Sequence, residues 1–269
     1  MIMTRTNKTQ MILKLSKRFW FICLAASQLV FVTYLALGYG FSALNADPAK
    51  WNNFNATAYV AEDTLGNTIY GIHVLFAIVM IVGGSLQLIP TIRNKLPRFH
   101  RINGRLFVVL ACTIALAGMY LIIVRGTVGN TLMHSMTFFA GTVVLVSSYF
   151  AVLTARKKQF NHHQIWAIRL YLAANGVLFF RLTLFAWFIV FGSIGINTKD
   201  FTGPTLVMIS VSSYILPLFL FELLRYAEKT RNTVIKGLMI TILLVISLVF
   251  LVGLFGISAG SWFPALIKG

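Results

Sequence analysis

Seven runs of roughly 20 apolar residues divide this 269-residue chain, near 19–41, 69–90, 106–124, 131–154, 168–191, 205–225 and 237–258. A run of that length is what an α-helix needs to cross a hydrocarbon layer of about 30 Å. The runs are continuous, which excludes the alternating pattern of a transmembrane β-barrel. Charged residues make up only 11% of the chain, against about 25% in a soluble domain. A soluble enzyme is excluded with them. The expected fold is all-α: a polytopic membrane bundle of seven transmembrane helices forming one domain, 19–258, between a basic tail, 1–18, and a short tail, 259–269.

Lys and Arg collect at the cytoplasmic ends of membrane spans. Eighteen of them fall in the tail and in the second-to-third, fourth-to-fifth and sixth-to-seventh connections, while only Lys50, Arg125, Lys199 and Lys268 lie on the other side. The N-terminus is therefore expected in the cytoplasm and the C-terminus outside, in a multi-pass protein of the inner (plasma) membrane. The net charge of +17 then faces anionic lipid headgroups, which attract each basic residue by about 1 kcal/mol. That placement argues for the bilayer as partner and against nucleic acid. The first apolar run exceeds the h-region of a cleavable signal and lacks a small-residue cleavage site, so it reads as a retained span. Cys23 and Cys112 lie within apolar runs and imply no external disulfide framework.

The one long connection, 42–68, is too short for a domain; Asp63 or Thr64 is placed to cap the second span. Glycine-rich phosphate loops, serine-hydrolase elbows and internal repeats are absent from the sequence.

In hydrocarbon the informative residues are the ionisable ones, which cost at least about 2.5–3.5 kcal/mol at mid-span. Arg181 lies deep in the fifth span. Glu222 is the sole acid within a span, but its depth suits Arg169 and Arg225 better. Arg181 is thus left to water, a cavity or an anionic cofactor group, as a structural hub or as a functional contact.

Four histidines fall at two levels. His73 of span two and His134 of span four lie at the outer level, while His100 before span three and His163 before span five lie at the inner one. Facing imidazoles from different helices are the protein half of a six-coordinate haem site, and two tiers would carry electrons across the bilayer. A polar seam between helices is the plainer alternative. If the fifth helix begins by His163, the 18 residues to Arg181 bring both to one face, where an outer haem propionate would neutralise the arginine. His73 and Gln87 likewise share a side of span two. A zinc hydrolase wants three ligands round one metal, and the split of histidines between levels argues against it.

The densest motifs lie on the cytoplasmic side: Gly84-Ser85-Leu86-Gln87, His100-Arg101-Ile102-Asn103-Gly104-Arg105 and His163-Gln164-Ile165-Trp166-Ala167-Ile168-Arg169. Pro97 suits the first turn of a helix. Gly104 allows close helix approach, and Arg101 and Arg105 can hold phosphate or carboxylate. The plainer reading is a positive-inside patch beside an interfacial Trp166.

With these motifs the chain resembles the bacterial membrane family called domain of unknown function 2306, over about residues 70–185. The family name carries no activity. In architecture alone the chain is similar to the di-haem b-type cytochromes that move electrons across membranes. That resemblance implies haem b held by His73 with His134 and by His100 with His163, the outer site better founded than the inner, with a quinone or small redox partner. The competing expectation is a transporter, channel or lipid- or quinone-binding module, its polar cavity lined by Arg181, Asn175, Gln87 and the His100–Arg105 corner.

Overall fold

The computed structural model describes residues 5–126 and 129–268. Among them there is no strand, only an isolated bridge between Asn197 and Thr202. The helices are α1 (Arg5–Leu35), α2 (Phe41–Leu44), α3 (Thr64–Gln87), α4 (Pro90–Lys95), α5 (Pro97–Arg125), α6 (Thr131–Arg156), α7 (Phe160–Ala174), α8 (Gly176–Phe191), α9 (Pro204–Lys229), α10 (Thr233–Ile257) and α11 (Phe263–Lys268). A π-helical stretch, Ala36–Gly40, joins α1 to α2, and a second, Ser258–Trp262, joins α10 to α11. Among the described residues six helices are long and apolar enough to cross a membrane, and the bent pair α7–α8 makes a seventh if taken as one span.

Several ends differ from the expected boundaries. The first passage is helical from Arg5, so most of the basic tail continues the span as helix. Pro97 occupies the first turn of α5, where its missing N–H costs nothing, and the helix therefore starts well before 106. Much of 259–269 likewise carries on as helix, as far as Lys268. Asp63 caps α3, its side chain accepting from the Gly66 N–H at 2.9 Å. Asn130 and Asn232 cap α6 and α10 in the same way, each satisfying an N–H that the first helical turn leaves free.

α3 packs on α5, α5 on α6 and α6 on α7, while α10 lies between α1 and α8. Small residues set the closest approaches, as they do between helices in lipid. A Cβ on Gly253 would sit 1.9 Å from the Leu182 carbonyl oxygen, so α8 and α10 meet backbone to backbone.

The fifth span is broken. α7 and α8 meet at an angle of 50°, with Asn175 between them and 5% exposed. Asn175 Nδ2 donates to the Tyr171 carbonyl at 2.7 Å, and its Oδ1 accepts from Gln28 Nε2 at 2.6 Å. Gln28 Oε1 accepts in turn from the Tyr171 hydroxyl at 2.9 Å and from Ser85. Four polar side chains from α1, α3 and the α7–α8 junction satisfy one another at the point where the span changes direction. The expected common face of His163 and Arg181 assumes one straight helix, and the axis turns between them.

Candidate functional site

Two groups of polar side chains stand out. The first is at the basic end of the bundle, where α3 and α5 are fastened together. Asn103 Nδ2 donates to the Gly83 carbonyl at 2.8 Å, and Gln87 Nε2 to the His100 carbonyl at 3.1 Å. A Cβ on Gly84 would overlap the Phe107 ring at 2.6 Å, and Gly104 faces the Gln87 amide. Much of the Gly84–Gln87 and His100–Arg105 motifs is thus accounted for by helix contact. Arg101 and Arg105, by contrast, are exposed and stand away from it.

His100 Nδ1 is buried with no hydrogen-bond partner among the described residues. His163 and Arg93 are both within electrostatic range of its ring. His163 Nδ1 lies 2.9 Å from the Ala151 carbonyl oxygen. A carbonyl only accepts, so Nδ1 carries a proton, and in the neutral ring Nε2 presents a lone pair. Its neighbour His162 is exposed. One turn further, Trp166 stacks on Phe150 at 4.6 Å, and the Arg169 guanidinium covers the Trp166 ring at 4.4 Å.

Arg169 binds Glu222 Oε1 at 2.8 Å and 3.1 Å, and Arg225 takes Oε2. The acid is therefore committed to the two arginines that its depth indicates. Beside this pair, α6, α7 and α9 border a groove of about 550 Å³ with apolar walls from Phe139, Val143, Val146 and Phe219.

The second group lies nearer the other end. His73 Nδ1 is 2.9 Å from the Ile114 carbonyl oxygen, which fixes the same tautomer as in His163. His73 and Gln87 thus both reach α5. The His73 ring touches the position where a Gly118 Cβ would stand, at 3.0 Å, and borders a void of about 90 Å³ with Thr137, Gly141 and Tyr214. Such a void holds a few waters and falls below the roughly 300 Å³ of the smallest ligand pockets.

His134 is not set opposite His73. Gly141 faces Met119, the neighbour of Gly118, so His73 is level with Gly141. His134 lies seven residues away on α6, or about 10 Å along the axis. His100 and His163, by contrast, lie within electrostatic range of each other at the basic end.

Arg181 stands on the second turn of α8, partly buried. Its guanidinium lies over the Phe31 ring, 5.1 Å from the centroid. No described residue gives it a hydrogen bond or an ion pair. Asn175 and Gln87, expected beside it, are engaged with Gln28 and with the His100 carbonyl. Its neighbourhood is aromatic instead: Trp262 stacks on Phe31 at 5.2 Å and on Tyr34 at 5.2 Å. The arginine's charge also acts on Tyr39, His73 and Tyr214.

Sequence reasoning passed over Gln28, Tyr171 and the aromatic surround of Arg181. An amide inside an apolar run, as at Gln28, was the available signal. Tyr34 and Trp262 carry none, since their meeting depends on the packing of the first and last passages.

The family model described as "Predicted membrane protein (DUF2306)" matches residues 70–224. No curated protein and no solved structure matches the chain.

Proposed function

Since the chain belongs to the DUF2306 family of predicted membrane proteins, whose name assigns no activity, we propose a function from its own imidazoles: a membrane-embedded b-type haem electron-transfer protein of the inner membrane, whose haem His100 and His163 would hold at the basic end. One observation carries this reading, the buried and unpartnered Nδ1 of His100 beside a histidine whose own Nδ1 proton is already donated elsewhere.

A buried nitrogen without a partner costs about 1–3 kcal/mol, which a bond to metal would remove. His163 has the arrangement usual for metal-bound imidazoles: its outer N–H is anchored on a carbonyl, which orients the ring and raises the basicity of Nε2. Gln87 holds the backbone of His100 through its carbonyl and so fixes where that ring begins. When bound, haem supplies one-electron chemistry, and its ligands help to set the potential.

His73 has the favoured tautomer but no opposed imidazole, which supports one haem rather than two. The groove beside Trp166 begins one turn from His163 and has the size and apolar walls to take a quinone as electron partner. Arg101 and Arg105, exposed at the same end, meet anionic headgroups in this reading.

The test is a reduced-minus-oxidised spectrum of the purified chain after expression with haem supply. An α-band that is lost in His100→Ala and in His163→Ala is expected. A monodisperse wild-type protein with no such band overturns the proposal.

A further inference from the structure

The guanidinium of Arg181 is a charge that nothing in the described fold neutralises. Its contact with Phe31 is a cation–π one, the guanidinium carbon 5.1 Å from the ring centroid, and such a contact uses no N–H donor. The in-plane N–H donors are left over, and these form the fork that matches two oxygens of a carboxylate or phosphate. The wall behind it is rigid, because Phe31, Trp262 and Tyr34 are stacked and each is buried.

The backbone around this wall is irregular in three places. Tyr39 lies in the π-helical stretch Ala36–Gly40, and Trp262 closes the stretch Ser258–Trp262. Such stretches are rare and concentrate at functional sites. Arg181 itself follows the break at Asn175, on a half-helix beginning at Gly176. Discontinuous spans are where membrane proteins hold charged ligands at depth.

We propose that Arg181 anchors a second binding site, for a single oxyanion: the carboxylate or phosphate of a membrane amphiphile, or a free anion of the same chemistry. Water or a neutral carbonyl would accept its hydrogen bonds but leave the charge uncompensated in a low dielectric. An anion answers both needs. The site lies beyond the Asn175 break from His163, and it stands whether or not haem binds at the basic end.

The full chain is reconstituted in phosphatidylcholine nanodiscs, and its thermal midpoint is measured with oleate in the bilayer, with inorganic phosphate in the buffer, and with neither. A rise of several degrees is expected with at least one anion. A rise with oleate alone identifies an amphiphile, and one with phosphate alone a free anion. Arg181→Gln removes the rise, and Arg181→Lys, which keeps the charge without the fork, gives a smaller one. The proposal is overturned if neither anion shifts the wild type, or if Arg181→Gln shifts equally. Should Arg181→Gln not fold, an Arg181→Lys shift equal to wild type overturns it.

Discussion

Arg125 closes on Asp63 through two nitrogens, Nε at 3.0 Å and Nη2 at 2.7 Å, both on the same carboxylate oxygen. The pair ties the end of α5 to the start of α3. Arg125 also reaches the Ala58 carbonyl at 3.0 Å and Asn67 Oδ1 at 2.7 Å, so one side chain gathers the end of the connection and the first turn of α3.

The Arg125 hydrogen bonds first, and the Gly66 N–H second, hold the Asp63 carboxyl below the usual carboxylate range. A depressed acid stabilises the fold above its unfolded pKa of about 3.9, and that stability is lost as pH falls through the folded value. Asp63→Asn is expected to lower the thermal midpoint at neutral pH and to flatten its decline below about pH 4. Melting curves of both proteins across the acid range check this; parallel curves would refute it.

The two levels of histidine respond differently in the haem reading. His134→Phe is expected to leave the α-band intact, because His134 lies about 10 Å along α6 from the level of His73. His73→Phe is expected to leave it as well. Loss of the band in either would move the haem to the outer level.

Gln28→Leu removes both the donor to Asn175 and the acceptor of Tyr171 and Ser85. Each buried polar group so stranded costs about 1–3 kcal/mol. Faster amide hydrogen exchange over 171–176 than in wild type is the expected signature, and unchanged exchange would show that the bend does not need the network.

Gly253→Ala forces a methyl against the Leu182 carbonyl, whereas a Cβ on Gly237 of the same helix has nothing within 4 Å. The first substitution is expected to cost about 1–3 kcal/mol or more. The second is neutral or gains slightly from helix propensity. Equal thermal midpoints would argue that α8 and α10 separate freely.

Arg101→Gln with Arg105→Gln is expected to leave the midpoint unchanged, since both side chains are exposed. Affinity for anionic vesicles falls by about 1 kcal/mol per residue removed, which co-flotation measures.

Much of the architecture is legible locally. The apolar runs give the spans, Pro97 and Asp63 give helix starts, and depth alone assigns Glu222 to Arg169 and Arg225. Tertiary contacts decided the rest. Asn175 stands at the break with its amide held by Gln28, 147 residues away. Counting positions on single spans puts His73 and His134 on one level, yet the register of α5 against α3 and α6 separates them. The surroundings of Arg181 come from residues near both ends of the chain, where hydrophobicity carries no address.

The kink at Asn175 also has a mechanical side. A straight rod would transmit a push at Trp166 directly to Arg181. Here the axis turns midway, and the joint is pinned to the first helix through Gln28. A displacement at one membrane face would therefore be passed sideways, from the fifth passage into the opening one.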